Sequence, residues 1–356
     1  MKERNGRWEF DGSSAARLWD KSAIGRLTPD GTLLLTDFEL IFCKEHRSLE
    51  FPDSDWLSKR LRHNSALLEE AAILEALRVP GNKVIVKSNL ESMDIEYSES
   101  SWALRWPSNS HPNNDPAVSE IRWFHAEEGV GVSDLLAWSI EVDGNGRIPE
   151  VLVIDEEQSV VTYRLQVADP IGNLIPPTIS AFEQISNLNY ERTGSGGAFF
   201  PDIEYWPCEA IGIPLRGGRQ VDFVELELIY AIGKATNNLE FESILKWRYH
   251  ENSELTISAS ILLELWTRGL NTRSGFKFGT AWRCYPGQVG DGHAPWLVVD
   301  PSEGSPETWG EACLSSRLAS GVNKHWLYPN LENEDWKFLE ISRPPSDSRW
   351  NNPNRR

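Results

Sequence analysis

The sequence predicts an α+β chain made by tandem duplication, each copy a small helical lobe followed by an α/β lobe with a mixed sheet. Two observations carry that prediction. The run Asp37-Phe-Glu-Leu-Ile-Phe42 resembles Glu225-Leu-Glu-Leu-Ile-Tyr230, and His63-Asn-Ser-Ala-Leu-Leu68 resembles Glu251-Asn-Ser-Glu-Leu-Thr256, both at a separation of 188 positions. Leu57 and Leu245, then Arg60 and Arg248, keep the same register between them. Self-similarity at one fixed spacing is the mark of a repeated structural unit. In both copies, moreover, helical spacing of apolar residues gives way to the alternation of strands.

The elements follow in order. A short amphipathic helix is expected over residues 35–43 and again over 223–232, then a second helical stretch over 55–61 and 242–247. A longer helix comes next. In the second copy Asn252 or Ser253 caps it, Leu255, Ala259, Leu262 and Trp266 recur at helical spacing, and Gly269 stands where a C′ glycine belongs. Strands are expected over 83–87, 151–154 and 160–165 in the first copy, and over 275–284 and 295–299 in the second. Residues 98–116, rich in Ser, Asn and Pro, read as a loop. The copies join near 169–177, where Asp169-Pro170 and Pro176-Pro177 interrupt any regular element. The Gly-rich stretch 193–197 lacks the frame of a phosphate-binding loop. The expected boundaries are 1–62 and 63–175 for the two lobes of the first copy, and 176–250 and 251–356 for those of the second.

Bulk composition excludes more than it identifies. At 356 residues the chain exceeds one ordinary core. A net charge of −18 argues against coating nucleic acid through bulk charge and leaves room only for a local basic cleft. No stretch approaches the ~20 apolar residues of a membrane span, and the charged start lacks a signal core, so a cytoplasmic protein is expected. Cys43, Cys208, Cys284 and Cys313 are scattered without a C-x-x-C pair, which suits neither a zinc site nor a disulfide framework.

One stretch carries chemistry. From Arg273 to Val298, four glycines at 279, 287, 290 and 292 surround sharp turns, and Tyr285 and His293 stand at the two ends of a Gly-rich connection. That arrangement aims two proton-transfer groups into one cleft. Phe276, Phe278, Trp282 and Cys284 suggest strands that bury one face. Downstream, Ser305-Pro306 opens a helix in the N-cap and N1 manner, Trp309, Cys313 and Ala319 form an apolar stripe, and Gly321 ends it before Lys324.

The run SGFKFGTAWRCYPGQVGDGHAPWLV, followed by RLASGVNK, resembles the signature of the archaeal tRNA-splicing endonuclease family. The likeness to a full family domain covers residues 176–356, and the first copy resembles the non-catalytic repeat of two-repeat, homodimeric members. The resemblance implies a restriction-endonuclease-like nuclease subdomain and cleavage of precursor tRNA at bulge–helix–bulge exon–intron junctions. It implies general base Tyr285, general acid His293 and a phosphorane-stabilising Lys324, with no metal or cofactor and with 2′,3′-cyclic phosphate and 5′-hydroxyl ends. Arg317, seven residues before the lysine, matches one of two arginines that clamp a bulge base, and Trp336 or Lys337 substitutes for the other. Asp155, Glu156 and Glu157 resemble the acidic loop with which family members dock a neighbouring unit, which implies a homodimer. Two rival classes stand beside this reading. One is a metal-dependent structure-specific nuclease using Asp291 and Glu303, although no compact Asp…Glu-x-Lys arrangement accompanies them. The other is a non-catalytic structural subunit of an RNA-processing complex.

Overall fold

The computed structural model describes residues 1–235 and 255–350. The expected helix 242–247, the Asn252 or Ser253 cap and the Leu245 and Arg248 matches lie outside the described residues. The chain divides into two compact units, Met1–Gln166 with Glu307–Cys313 and Ser342–Arg356, and Val167–Pro306 with Leu314–Ile341. Each combines helices with β-sheet, an α+β architecture. No helix among the described residues is long and apolar enough to cross a membrane.

The first unit opens with strands β1 (Lys2–Arg4), β2 (Arg7–Phe10), β3 (Arg26–Leu27) and β4 (Leu33–Leu35), in the order β1-β2-β4-β3. Helix α1 (Ala15–Ser22) lies among them, and α2 (Asp37–Arg47), α3 (Trp56–His63) and α4 (Leu67–Arg78) follow. Helix α2 begins where Thr36 and Glu39 form a reciprocal capping box, which satisfies amide donors that have no partner within the helix. The Glu39 carboxylate also accepts from the Gly25 amide at 2.9 Å. Then come β5 (Lys83–Val86), the short α5 (Lys87–Leu90), β6 (Ala103–Trp106), β7 (Ser119–His125), α6 (Val132–Gly144), β8 (Ile148–Ile154) and β9 (Val160–Ala168). Strands β5, β6 and β7 pair antiparallel, β7 and β8 pair parallel across the α6 crossover, and β8 and β9 form a hairpin.

The second unit runs through α7 (Ile179–Ser186), β10 (Glu191–Arg192), β11 (Ala198–Phe200), β12 (Ile213–Leu215), β13 (Gly218–Val221) and α8 (Phe223–Ala235), with the small sheet ordered β10-β11-β13-β12. Asp222 and Glu225 cap α8 reciprocally, and Glu225 accepts from the Gly212 amide at 2.8 Å. Glu225 thus does in this unit what Glu39 does in the first. The two glutamates are 186 positions apart, beside the 188 of the sequence register. Next come α9 (Ile257–Thr267), β14 (Asn271–Ser274), β15 (Trp282–Tyr285), β16 (Trp296–Val298), α10 (Trp309–Gly321), β17 (His325–Glu332) and β18 (Asp335–Ser342). Here too two antiparallel pairings are followed by a parallel one across a helix and a final hairpin.

Several sequence expectations need correction. Helix α9 is capped by Thr256, whose hydroxyl accepts from the Ala259 amide at 3.2 Å. Residues 275–284 are not one strand. Gly275 and Gly279 (φ +66°) bracket a single 3₁₀ turn over Phe276–Phe278, and Phe276 is 87% exposed. Residues 98–116 contain strand β6, every residue of which is buried. Helix α10 starts at Trp309 rather than after Ser305-Pro306, because Thr308 and Glu311 form the cap there and the Glu311 carboxylate takes the Glu307 amide at 2.8 Å. The four cysteines are buried and form no disulfide among the described residues.

Beneath β14–β18, α9 buries Ala259, Leu262 and Trp266 in a core shared with Trp282, Cys284, Val298, Leu327 and Phe338. The pleat then directs the alternate residues of β15, Arg283 and Tyr285, to the opposite face. Residues 172–174 are tacked to the same end of this sheet. The Gly172 amide donates to the Arg268 carbonyl at 2.9 Å and the Asn173 amide to that of Pro286 at 2.8 Å. A Cβ on Gly172 would lie 2.0 Å from the Gly269 carbonyl oxygen, a backbone atom with nowhere to go. Gly172→Ala is therefore expected to destabilise the protein by about 1–3 kcal/mol. A denaturant melt with an unchanged midpoint would mean that this close approach is not kept in solution.

Candidate functional site

Each of the three candidate catalytic residues ends or follows an element of the second unit. Tyr285 closes β15 opposite Asn271, and is 8% exposed. Alternation along β15 places it with Arg283 on the face opposite Trp282 and Cys284, which enter the core. His293 lies exposed on the connection to β16, where Gly290 takes φ +116°. Lys324 follows α10: Asn323 turns at φ +55°, and the Lys324 amide donates to the Ala319 carbonyl at 3.0 Å.

Side-chain contacts draw these positions together. The Lys324 ammonium donates to the carbonyl oxygen of Ala294, the residue after His293, and so anchors the histidine's own loop. It also lies 5.4 Å from the centre of the Phe278 ring. The Arg283 guanidinium stands 5.9 Å from the centre of the Tyr285 ring. Burial, and then the like charge of Arg283, hold the Lys324 pKa below its ordinary value. Arg283 thus stands near the Tyr285 ring, and its charge is felt at Lys324. Sequence reasoning missed it, although its place two residues before Tyr285 on a strand already assigned it to the same face.

The other candidates are less uniform. Arg317 is exposed on α10, beside the exposed Leu314 and Leu318. Trp336 does not fit the role of a base-clamping group. It is 5% exposed, packs in the core and donates its indole N–H to Ser260 at 2.9 Å, so no ring face is free for a nucleobase. Strand alternation in β18 turns it inward toward α9. Lys337 points the other way and pairs with Glu332 across the β17–β18 hairpin at 2.6 Å. At the tip of the β8–β9 hairpin, Asp155 accepts from the Glu157 and Ser159 amides at 3.1 and 2.7 Å, and Gln158 takes φ +62°. Asp155 thus shapes the turn, while Glu156 and Glu157 are exposed.

The first unit has other chemistry at the matching places. Trp106 closes β6 opposite the first residue of β5, as Tyr285 closes β15 opposite the first residue of β14. It is fully buried and donates to the Asp115 carbonyl at 2.9 Å. Arg147 immediately precedes β8 as Lys324 precedes β17, but it is paired with the buried Glu120 at 2.8 Å. An indole and a neutralised cation cannot act as base and phosphate ligand. Among the described residues, the cluster of three potential metal ligands is Glu45, His46 and Glu75, also in the first unit. Asp291 and Glu303 are exposed and belong to no such cluster among the described residues.

Comparison with known proteins bears on the same segment. Residues 258–337, which hold Tyr285, His293 and Lys324, match the family model of the tRNA intron endonuclease, catalytic C-terminal domain. The chain is also 23% identical, over 261 residues, to a tRNA-splicing endonuclease from Methanococcoides burtonii, a match covering 67% of this chain and 70% of that protein.

Proposed function

We propose, from the premise that residues 258–337 are a catalytic domain of the tRNA intron endonuclease family and that the chain is a tRNA-splicing endonuclease, a metal-independent acid–base cleavage of precursor tRNA at bulge–helix–bulge junctions. The observation that carries the reading is the Lys324 contact to Ala294, which holds the loop of His293 beside the cation within the family-matched segment.

The reaction balances without a cofactor. Starting from the Tyr285 phenolate and the protonated His293, the Tyr285 oxygen takes the proton of a ribose 2′-hydroxyl as O2′ bonds to phosphorus. Lys324 stabilises the added charge on the non-bridging oxygens. The P–O5′ bond then breaks, and His293 gives a proton to the departing O5′. The products are a 2′,3′-cyclic phosphate and a 5′-hydroxyl. Histidine suits the acid role because its charge changes near neutral pH. Bulges suit the reaction because unpaired nucleotides let the 2′-oxygen swing in line with the leaving group.

The duplication is part of the same reading. It is supported by the recurring strand order, the paired Glu39 and Glu225 caps, and the parallel crossovers in both units. On this view the lobes 1–62, 63–175, 176–250 and 251–356 form two repeats, of which the first is architectural. Arg317 clamps a bulge base. The exposed Glu156 and Glu157 dock a second copy, so that a cytoplasmic homodimer brings two sites to the two cuts of one intron. Such a charged contact sets register more than affinity.

The deciding experiment is cleavage of an intron-containing precursor tRNA in excess EDTA, with analysis of the product ends. Cyclic phosphate and 5′-hydroxyl ends are expected. Activity that returns only with Mg²⁺ and leaves 5′-phosphates would overturn the proposal in favour of Asp291 and neighbouring carboxylates.

A further inference from the structure

Three cations gather on one face of the sheet around Tyr285. Arg273 and Arg283 are directly opposite on β14 and β15, and Lys324 approaches from the end of α10. Their surroundings differ. Arg273 has the carboxyl of Glu225 near it and spends one N–H on the Thr272 carbonyl at 2.6 Å. Arg283 has no carboxylate partner among the described residues, and its Nε is buried without a hydrogen-bond acceptor. The charge acting on Lys324 is that of Arg283, a like charge.

Two half-buried cations that feel each other's charge and have no carboxylate partner among the described residues repel, a cost that a bound anion offsets. An anion bound between them converts the repulsion into binding energy. A guanidinium suits this task better than an ammonium, since its planar fork matches two phosphate oxygens. The Tyr285 ring, 5.9 Å away, orients that fork.

We propose that Arg283 is a second phosphate-binding cation of this site, its guanidinium taking a non-bridging oxygen of the RNA phosphate at the cut, beside Lys324. The inference rests on the function proposed above and adds a residue to it. Arg283 shares the negative charge that develops during cleavage, and it fixes the phosphate so that Tyr285 meets the 2′-hydroxyl and His293 the 5′-oxygen.

The test uses the full chain with Arg283→Met and Arg283→Lys, and a precursor RNA carrying a single 2′-deoxynucleotide at the cut, which binds but cannot be cleaved. Binding is measured across a salt series, and cleavage on the all-ribose RNA. Arg283→Met is expected to flatten the slope of log affinity against log salt by about 0.7 to 0.9, the worth of one phosphate contact. Its kcat/KM should fall on the order of 10²-fold. Arg283→Lys should keep the slope and recover part of the rate, and both variants should melt with the parent. Equal salt slopes for parent and Arg283→Met overturn the inference. So does a loss shared by Arg283→Lys together with a lowered melting midpoint, which marks a packing role. A parent chain that binds with the expected slope difference but does not cleave overturns the reaction and leaves the phosphate contact standing. A parent that does not bind the RNA overturns both.

Discussion

His293→Ala is expected to slow single-turnover cleavage by about 10²- to 10⁴-fold, the usual worth of a positioned general acid. The leaving 5′-oxygen is a poor leaving group unless protonated as the P–O bond breaks, and water supplies that proton inefficiently. His293 is exposed on its loop, and among the described residues its side chain makes no hydrogen bond, so the substitution should leave the melting midpoint unchanged. Loss of rate without loss of stability separates chemistry from packing. The loop itself stays anchored through Lys324 and the Ala294 carbonyl, which the alanine variant retains. A rate within threefold of the parent would remove His293 from the mechanism and revive the rival readings. A substrate whose bridging 5′-oxygen is replaced by sulfur, a leaving atom that needs no proton, should restore much of the lost rate.

Arg105→Met should have the largest effect on stability, a loss of about 3–5 kcal/mol. Arg105 lies on β6 and grips the fully buried Glu150 of β8 with two N–H groups, at 2.7 and 2.9 Å. Ser119 donates to the same carboxylate at 2.8 Å, and Arg164 reaches it at 3.3 Å. Arg105 also stands 4.8 Å from the centre of the Trp350 ring. Removing the arginine leaves a buried carboxylate with only its weaker cation. The cost is that of stranding a charge rather than of losing one bond. Equilibrium denaturation of Arg105→Met beside the double variant Arg105→Met/Glu150→Leu measures this, and the double variant should recover most of the stability. A loss under about 1 kcal/mol in the single variant would show that water or Arg164 compensates fully. Because the network belongs to the first unit, cleavage by the folded fraction should be spared.

These two expectations mark where local sequence information stops. The periodic residues of α9, Ala259, Leu262 and Trp266, do share its buried face, and Gly269 does take the left-handed conformation, at φ +75°. Trp309, Cys313 and Ala319 are buried along α10, which ends at Gly321. Each of these depends on chain neighbours within a few turns. Tyr285, His293 and Lys324 were nameable as candidates because a motif preserves order and spacing even when it says nothing of distance.

By sequence, strand β6 reads as loop because Ala103-Leu-Arg-Trp106 is short, contains a charge and is flanked by polar residues. It is a buried strand because Glu150, 45 positions later, neutralises that charge, and no window along the chain contains both. The glycines flanking Phe276 close a turn that leaves the ring in solvent, where alternation alone had buried it. Trp336 reads equally well as a stacking platform or as core, and only its place above Ser260 of α9 decides for the core. Arg283 shares the face of Tyr285 by the pleat, a local fact, but its nearness to Lys324, 41 positions on, is a property of the folded sheet. The sequence by itself determined the class of fold, the helix-forming segments and the residues able to carry the chemistry, because periodicity, capping and motif order act between near neighbours. The tertiary structure alone decided which charges are paired and which stand free, because compensation of a buried charge depends on distance in space and not along the chain.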